Sequence, residues 1–234
     1  YGTTYRLETN PELYEGVRFA WIFFESSSSD DAVLPAWRIT NVSVVAKVKP
    51  VRYTGSFVSS DDVLTKVWYS GAYGVRLNME AHGFNSVLMD RGDRVSIQGD
   101  GHPTMAAGLV AFSPYKLVLS MLQQTNSGSV NGHKVVDASI MSYPLYWTMS
   151  VNDYYWASGD KAGFLALVPD MRSIIDARVA DFLQQPHIAW MGWDDRLGNG
   201  FCGADCGPDG QLAFAPLVVR SAADLGRSLK HAGE

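Results

Sequence analysis

The stretch that decides the fold runs from Ser59 to Met79 and reads SSDDVLTKVWYSGAYGVRLNM. Its apolar residues recur at spacings of three and four, which places them on one face of a helix. They are Val63, Leu64, Val67, Trp68, Ala72 and Val75. A capping serine and the acids Asp61 and Asp62 stand directly before them, as expected where a helix begins. The stretch therefore predicts a helix that buries one apolar face.

The pattern of apolar residues differs on the two sides of this stretch. Upstream, Val17–Phe24 and Trp37–Val48 are rich in β-branched and aromatic residues, which predicts a β-rich segment over residues 1–58. Downstream, residues 59–234 repeat the helical spacing between turn signals. Five further helices are predicted there: Pro103–Phe112, Tyr115–Gln124, Tyr143–Ser158, Lys161–Gln184 with an interruption at Pro169, and Leu212–Lys230. The chain is therefore predicted to be mainly α.

Composition limits the class of partner. The 234 residues are 47% apolar, enough for a substantial core, and carry a formal net charge of -5. Lys and Arg are scattered, so neither nucleic acid nor an anionic membrane is an expected partner. No run of about twenty apolar residues is present that would span a bilayer. Seven tryptophans fit either stacking on the C–H faces of sugars or packing between helices.

Acidic residues cluster between Met89 and Gly101, in MDRGDRVSIQGDG. Asp90, Asp93 and Asp100 stand there with Arg91 and Arg94 among them. Clustered carboxyl groups in a concave site are what glycosidic bond cleavage requires, because one protonates the leaving oxygen while another steers water or stabilises the oxocarbenium-like charge. A solvated acidic loop is the alternative interpretation. We take the cluster as the candidate catalytic motif.

The spacing of this cluster resembles the acid motif of the α-L-rhamnosidases of glycoside hydrolase family 78, in which an acid followed by Arg precedes a Gly-Asp pair. Asp93 matches the general acid of that family, and Arg94 and Asp100 match its sugar-contacting positions. Asp90 is a match shifted by the shorter motif. The resemblance implies hydrolysis by inversion with Asp93 as proton donor.

The resemblance extends beyond the motif, through Tyr53–Met79, Tyr143–Asp160 and Trp190–Leu229. It implies that residues 1–58 are part of a β-sandwich and that residues 59–234 are the N-terminal half of an (α/α)6 barrel. In the family the general base is a Glu from a later barrel helix, so we expect no base before the chain ends at Glu234. Another chain or the missing half of the barrel is then expected to cover the open edge, with Val218, Val219, Ala222 and Leu225 in the contact.

Two further segments supply candidate sugar contacts. The loop WMGWDDRLGNG, Trp190 to Gly200, combines aromatic and acidic residues, and we assign Trp193 and Asp195 to substrate binding, with Asp194 as the second choice. A capped turn is the alternative for this loop. Trp147 lies near the next binding segment of the family and is assigned in the same way. His102 is positioned either to donate to a sugar hydroxyl or to cap a helix.

The sequence predicts no cofactor and no metal, since the five histidines show no ligand spacing and Cys202 and Cys206 have no second Cys or His cluster. A loop disulfide or two free thiols remain possible, and the secretion that the resemblance implies favours the disulfide. Asn41 begins an N-glycosylation triplet that matters only in a secretory protein. No signal peptide stands at Tyr1, so we expect an internal or processed piece of a secreted protein.

The sequence thus predicts a secreted glycoside hydrolase of the α-L-rhamnosidase type, which removes terminal α-L-rhamnose from glycosides or polysaccharides. The absence of a GxSxG elbow argues against Ser-His-Asp hydrolases. The alternative is a catalytically inactive relative retained as a carbohydrate-binding or assembly subunit.

Overall fold

The computed structural model describes residues 19, 21, 39–43, 49–79, 83–84, 99, 101–124, 129–130, 133–134, 140–184 and 207–234. Six α-helices make up most of this part: α1 Asp62–Leu77, α2 Gly101–Phe112, α3 Tyr115–Gln124, α4 Tyr143–Ser158, α5 Lys161–Gln184 and α6 Gly207–Ala232. Two short strands, β1 Ser129–Val130 and β2 His133–Lys134, pair antiparallel between α3 and α4. The prediction of a mainly helical chain is confirmed.

Helix α1 begins within one residue of the predicted start. The prediction of a capping serine was wrong, because the N-cap is Asp61. The Asp61 carboxylate accepts a hydrogen bond of 2.8 Å from the backbone N–H of Val63, which satisfies one of the unpaired donors of the first turn. Ala72 and Val75 are buried and Trp68 is partly buried. The expectation of one buried apolar face was wrong for the first two turns, because Val63, Leu64 and Val67 are exposed. The buried residues of α1 therefore lie in its second half.

The segment that precedes α1 is fastened to the end of α2. Thr54 and Gly55 both donate their backbone N–H groups to the carbonyl of Ala111, at 3.0 and 3.1 Å. A side chain at Gly55 would collide with the carbonyl of Val110, so only glycine permits this approach. The Tyr53 ring packs against Phe112 with ring centroids 4.8 Å apart. The start of α1 and the end of α2 therefore lie together, and the two helices run antiparallel.

The turn between α4 and α5 follows the expected chemistry. Gly159 ends α4 with a φ of 69°, a left-handed conformation that favours glycine, as predicted. Asp160 then accepts from the backbone N–H of Gly163 at 2.9 Å and caps the start of α5. The predicted interruption at Pro169 was wrong, because α5 continues through it. A proline inside a helix costs about 3 kcal/mol, and the fully buried Phe164, Met171 and Ile174 on either side offset that cost.

Helix α6 is longer than predicted, since it begins at Gly207 and ends at Ala232. The sequence GPDG was read as a loop, but proline is tolerated in the first turn of a helix. The buried residues of α6 form one stripe: Phe214, Val218, Ser221, Leu225, Ser228 and Ala232. The expectation that Val218 and Leu225 contact another chain was wrong, because both are buried within this chain. Val219, by contrast, is 67% exposed.

Helix α4 occupies the centre and packs against α2, α3, α5 and α6. A buried chain of hydrogen bonds joins it to α6: the indole N–H of Trp156 donates to Ser228 at 3.0 Å, and the Ser228 hydroxyl donates to Asn152 Oδ1 at 2.7 Å. The amide of Asn152 in turn donates to the carbonyl of Thr148. Because each polar group in this row of hydrogen bonds has a partner, the contact holds α6 on α4 without leaving those groups unpaired.

Contacts between helix ends define the directions of the helices. The Trp147 indole near the start of α4 donates to the carbonyl of Leu122 near the end of α3, at 3.2 Å. Leu145, also near the start of α4, packs against Phe214 in the first half of α6. Lys161 at the start of α5 donates to the carbonyl of Ala232 at the end of α6. Helices α2, α4 and α6 therefore start at one end of the body, which we call the loop end, while α1, α3 and α5 run in the opposite direction.

Within residues 1–58 the structure describes 19, 21, 39–43 and 49–58 and assigns no strand to them. The β-rich segment predicted there lies mostly outside the described residues and remains a prediction. None of the described helices has the length and apolar character needed to cross a membrane.

Candidate functional site

The connections between helices are of two kinds, and they lie at opposite ends of the body. The connections of two residues, 113–114 and 159–160, join α2 to α3 and α4 to α5 at the end away from the loop end. The three long connections, 78–100, 125–142 and 185–206, leave and re-enter the helices at the loop end. Long connections in a compact domain more often carry function than structure. The loop end is therefore the candidate functional site.

The sequence-predicted site residues belong mainly to these long connections. Asp90, Asp93, Arg94 and Asp100 precede α2, and Trp193 and Asp195 precede α6. All six lie outside the described residues, so their assignments remain predictions. Their roles are not tested by the described residues that flank them, which are Phe84 and Gly99 on one connection and Gln184 and Gly207 on the other.

Gly99, near the end of the acid motif, packs against Tyr143 at the start of α4. Its φ is 98°, which L side chains rarely adopt, and a Cβ placed on it would lie 2.6 Å from Cε1 of the Tyr143 ring. Only glycine brings the backbone this close to a buried aromatic ring without strain. Gly101, the first residue of α2, is packed in the same way against the methyl group of Met121. The backbone on both sides of Asp100 is therefore held by close contacts at the loop end.

A histidine and a carboxylate meet between α2 and α4. His102 Nε2 lies 3.1 Å from Asp153 Oδ2, and the imidazole also lies beside the Tyr146 ring, with centroids 5.6 Å apart and an interplanar angle of 35°. The side chain of His102 is 17% exposed and that of Asp153 is 40% exposed. The His102–Asp153 pair is thus open to solvent on one side. His102 stands two residues after Asp100 in the sequence. Such a pair can bind hydroxyl groups or relay a proton.

Trp147 does not lie on this surface. Its ring is 2% exposed, packs in the main core, and donates its indole N–H to the Leu122 carbonyl. This position fits the packing role that the sequence left open for its tryptophans, and a sugar contact by Trp147 would require its covering side chains to move.

Among the described residues, the resolved pKa shifts lie at the end of the protein away from the loop end. Burial, followed by the hydrogen bond to Asp160, raises the pKa of Tyr154 to about 12. The N–H of Gly163, followed by the Tyr154 hydroxyl at 2.6 Å, lowers the pKa of Asp160. Both effects belong to the cap of α5. Perturbed titration marks active sites only when the groups also lie in a cleft, and this pair holds a helix turn.

Sequence reasoning identified His102 but missed Asp153. The signal was present: Tyr146 and Asp153 are seven residues apart, which places them on one face of a helix, while most residues around them are apolar. Both are partly exposed, whereas the other residues from Tyr143 to Tyr155 are buried. What the sequence does not give is the approach of α2, which brings His102 between them.

Among the described residues no group of three or more His, Cys, Asp or Glu side chains is arranged to hold a metal ion. No model of a known protein family matches the chain. A search of curated proteins finds no significant match either.

Proposed function

We propose that the protein is a glycoside hydrolase of the α-L-rhamnosidase type, with Asp93 as general acid of an inverting reaction. The proposal rests first on the sequence of the acid motif, in which Asp93, Arg94 and Asp100 follow the order of that family. It is supported by the loop end, where the connections that carry Asp93 and Asp195 re-enter α2 and α6. A partly exposed histidine and carboxylate lie beside the start of α2.

The fold we propose with it is the N-terminal half of an (α/α)6 barrel. Consecutive antiparallel hairpins and the alternating direction of the six helices support this half-barrel, since α2, α4 and α6 run parallel and α4 contacts both of the others. In this arrangement α2, α4 and α6 form the inner layer and their starts surround the site. The β-sandwich preceding the barrel is part of the same proposal.

The chemistry follows from the two carboxyl groups that inversion requires. Asp93 protonates the glycosidic oxygen as the C–O bond breaks, so its pKa must be raised, which its neighbours Asp90 and Asp100 promote and Arg94 opposes. A second carboxylate about 6.5 to 9.5 Å away activates the attacking water. We assign no residue of this chain to that base; a Glu of a later barrel helix is the family's solution. No cofactor enters the reaction.

Two partners belong to the proposal: a rhamnose-containing glycoside, and another chain or the remaining half of the barrel. Exposed apolar residues at both edges of the helical body support the second partner. Val63, Leu64 and Val67 lie on α1 at one edge, and Leu212 and Val219 lie on α6 at the other. Exposed apolar surface of this kind marks interaction sites when it forms a continuous patch. Secretion is proposed with the family assignment.

The test compares the protein with its Asp93→Asn variant on an aryl α-L-rhamnoside. We expect the variant to lose 100-fold or more of kcat, since general acid catalysis contributes roughly 10² to 10⁴. Aryl rhamnosides with good leaving groups should lose less than those with poor ones, because they need less protonation. Equal activity of the two proteins on a poor leaving group would rule out the role of Asp93. Rhamnose binding without hydrolysis by the wild type would favour the inactive sugar-binding subunit instead.

A further inference from the structure

The geometry points to a sugar subsite on the exposed face of α4, formed by His102, Tyr146 and Asp153. Its ligand is a neutral pyranose, held through adjacent hydroxyl groups. This inference rests on the proposed function for the identity of the sugar, and it adds Tyr146 and Asp153 to His102, for which the sequence left a sugar contact open.

Before the last turn of α4, the accessible part of this helix is narrow, and Tyr146 and Asp153 occupy it. From Tyr143 to Tyr155 every residue of α4 is buried except Tyr146 and Asp153. The two are about 10 Å apart along the helix axis, at 1.5 Å per residue, and His102 reaches them from α2. The Asp153 carboxylate, which is 40% exposed, offers hydrogen-bond acceptors to solvent or ligand.

The polarity of the pair selects the ligand. An ionised Asp153 only accepts, so the Nε2 atom of His102 must carry the proton of their hydrogen bond. In the neutral imidazole, Nδ1 is then an acceptor. Asp153 itself has acceptor capacity beyond the one bond to His102, which is its single hydrogen-bond partner within the described residues. The subsite therefore presents acceptors to hydroxyl donors, and its carboxylate repels phosphates and other anions.

The aromatic ring supplies the third element. Tyr146 is half-buried and lies one to two turns closer to the loop end than Asp153. An aromatic face packs against the C–H groups of a pyranose, while adjacent polar groups fix its hydroxyls. The subsite is next to the acid motif, because Asp100 stands two residues before His102 in the chain.

The competing explanation is that His102 and Asp153 only clamp α2 to α4. The two roles differ in what a substitution changes. A clamp affects the stability of the fold, whereas a subsite affects the affinity for sugar at unchanged stability. Asp153→Asn keeps the size of the side chain and an acceptor for His102, and His102→Gln keeps a donor for Asp153. The matched control is Asp176→Asn, which removes the charge of an exposed carboxylate on α5, 23 residues after Asp153 in the sequence.

Binding of L-rhamnose is measured by calorimetry or ligand-observed NMR, and hydrolysis of an aryl α-L-rhamnoside is measured in parallel. We expect Asp153→Asn to raise the Kd for rhamnose about 10- to 100-fold, as when a hydrogen bond to a charged acceptor is lost. His102→Gln should raise it less. In hydrolysis the Asp153→Asn variant should raise KM more than it lowers kcat. Asp176→Asn should match the wild type, and melting temperatures verify that all variants fold.

Each outcome separates the subsite from the enzyme. If the wild type hydrolyses the rhamnoside while Asp153→Asn and His102→Gln keep the Kd and KM of the Asp176→Asn control, the subsite is overturned and the enzyme stands. If the wild type binds rhamnose without hydrolysis and Asp153→Asn abolishes binding, the enzyme is overturned and the subsite stands. If the wild type neither binds nor hydrolyses, both are overturned. If either Asp153→Asn or His102→Gln unfolds, the other of these two variants is used for the test.

Discussion

Replacing Gly99 with alanine tests the contact between the acid motif and α4. Two costs combine at this position. An L side chain at a φ of 98° adds backbone strain of about 1 to 3 kcal/mol, and the new Cβ lies 2.6 Å from Cε1 of Tyr143, so the ring or the backbone must move at a further cost of about 1 to 3 kcal/mol. We therefore expect Gly99→Ala to lower the free energy of unfolding by about 2 to 6 kcal/mol.

Two other glycines separate these costs. Gly159 has a φ of 69° but no atom within 4 Å of an added Cβ, so Gly159→Ala should show the backbone cost alone. Gly74 is inside α1, with an ordinary φ and no atom within 4 Å, so Gly74→Ala should stabilise the protein by roughly 0.5 to 1 kcal/mol. Urea denaturation measures all three. Thermal unfolding gives a second reading, at roughly 2 to 4 °C for each kcal/mol in a protein of this size.

A double-mutant cycle identifies the partner. Tyr143→Ala removes the ring that the new Cβ would meet, so in that background Gly99→Ala should cost about the same as Gly159→Ala. The coupling between the two sites should then be about 1 to 3 kcal/mol. If Gly99→Ala costs less than 0.5 kcal/mol, or costs the same with and without Tyr143, the close approach of Gly99 to α4 is wrong.

Two shorter predictions concern the other end of the protein and its edge. The pKa of Asp160 is lowered in the fold by Gly163 and Tyr154, so the contribution of Asp160 to stability is complete above about pH 4 and is lost as the pH falls through the folded pKa. Asp160→Asn should remove that pH dependence, and Asp160→Ala should also cost about 1 kcal/mol through loss of the helix cap. Urea denaturation between pH 2.5 and 7 at fixed ionic strength measures both variants. Val219 is 67% exposed on α6, so Val219→Lys should leave the melting temperature unchanged. The substitution should weaken self-association, as measured by sedimentation velocity. A wild-type protein that stays monomeric and binds no hydrophobic dye would contradict the proposed partner contact.

Most of the helical architecture was readable from the sequence because its signals are local. Asp61 caps α1, the Ser113-Pro114 pair separates α2 from α3, and Gly159 ends α4. Each of these residues acts on the few backbone groups next to it, so no knowledge of the fold is needed. Periodicity then supplied the helices between them.

The errors have one physical origin, which is packing at long range. Pro169 breaks a local rule, but the core on both sides of it outweighs the lost hydrogen bond. Val63 and Val67 follow the helical period, yet no described element covers them, so periodicity placed them in a core whose first buried residue on α1 is Ala72. Val218 and Val219 are neighbours in sequence, and only the position of α4 decides which of them is buried.

The site shows the same division. A motif of adjacent residues, such as the one that contains Asp93, can be found by its spacing. The pair of His102 and Asp153 joins residues 51 positions apart, and it exists only because α2 and α4 start at the same end and lie side by side. That parallel arrangement follows from the hairpins: each short turn reverses the chain, so every second helix begins at the loop end. His102 at the start of α2 is thereby brought beside α4, where it meets Tyr146 in the first half of that helix and Asp153 in the second half.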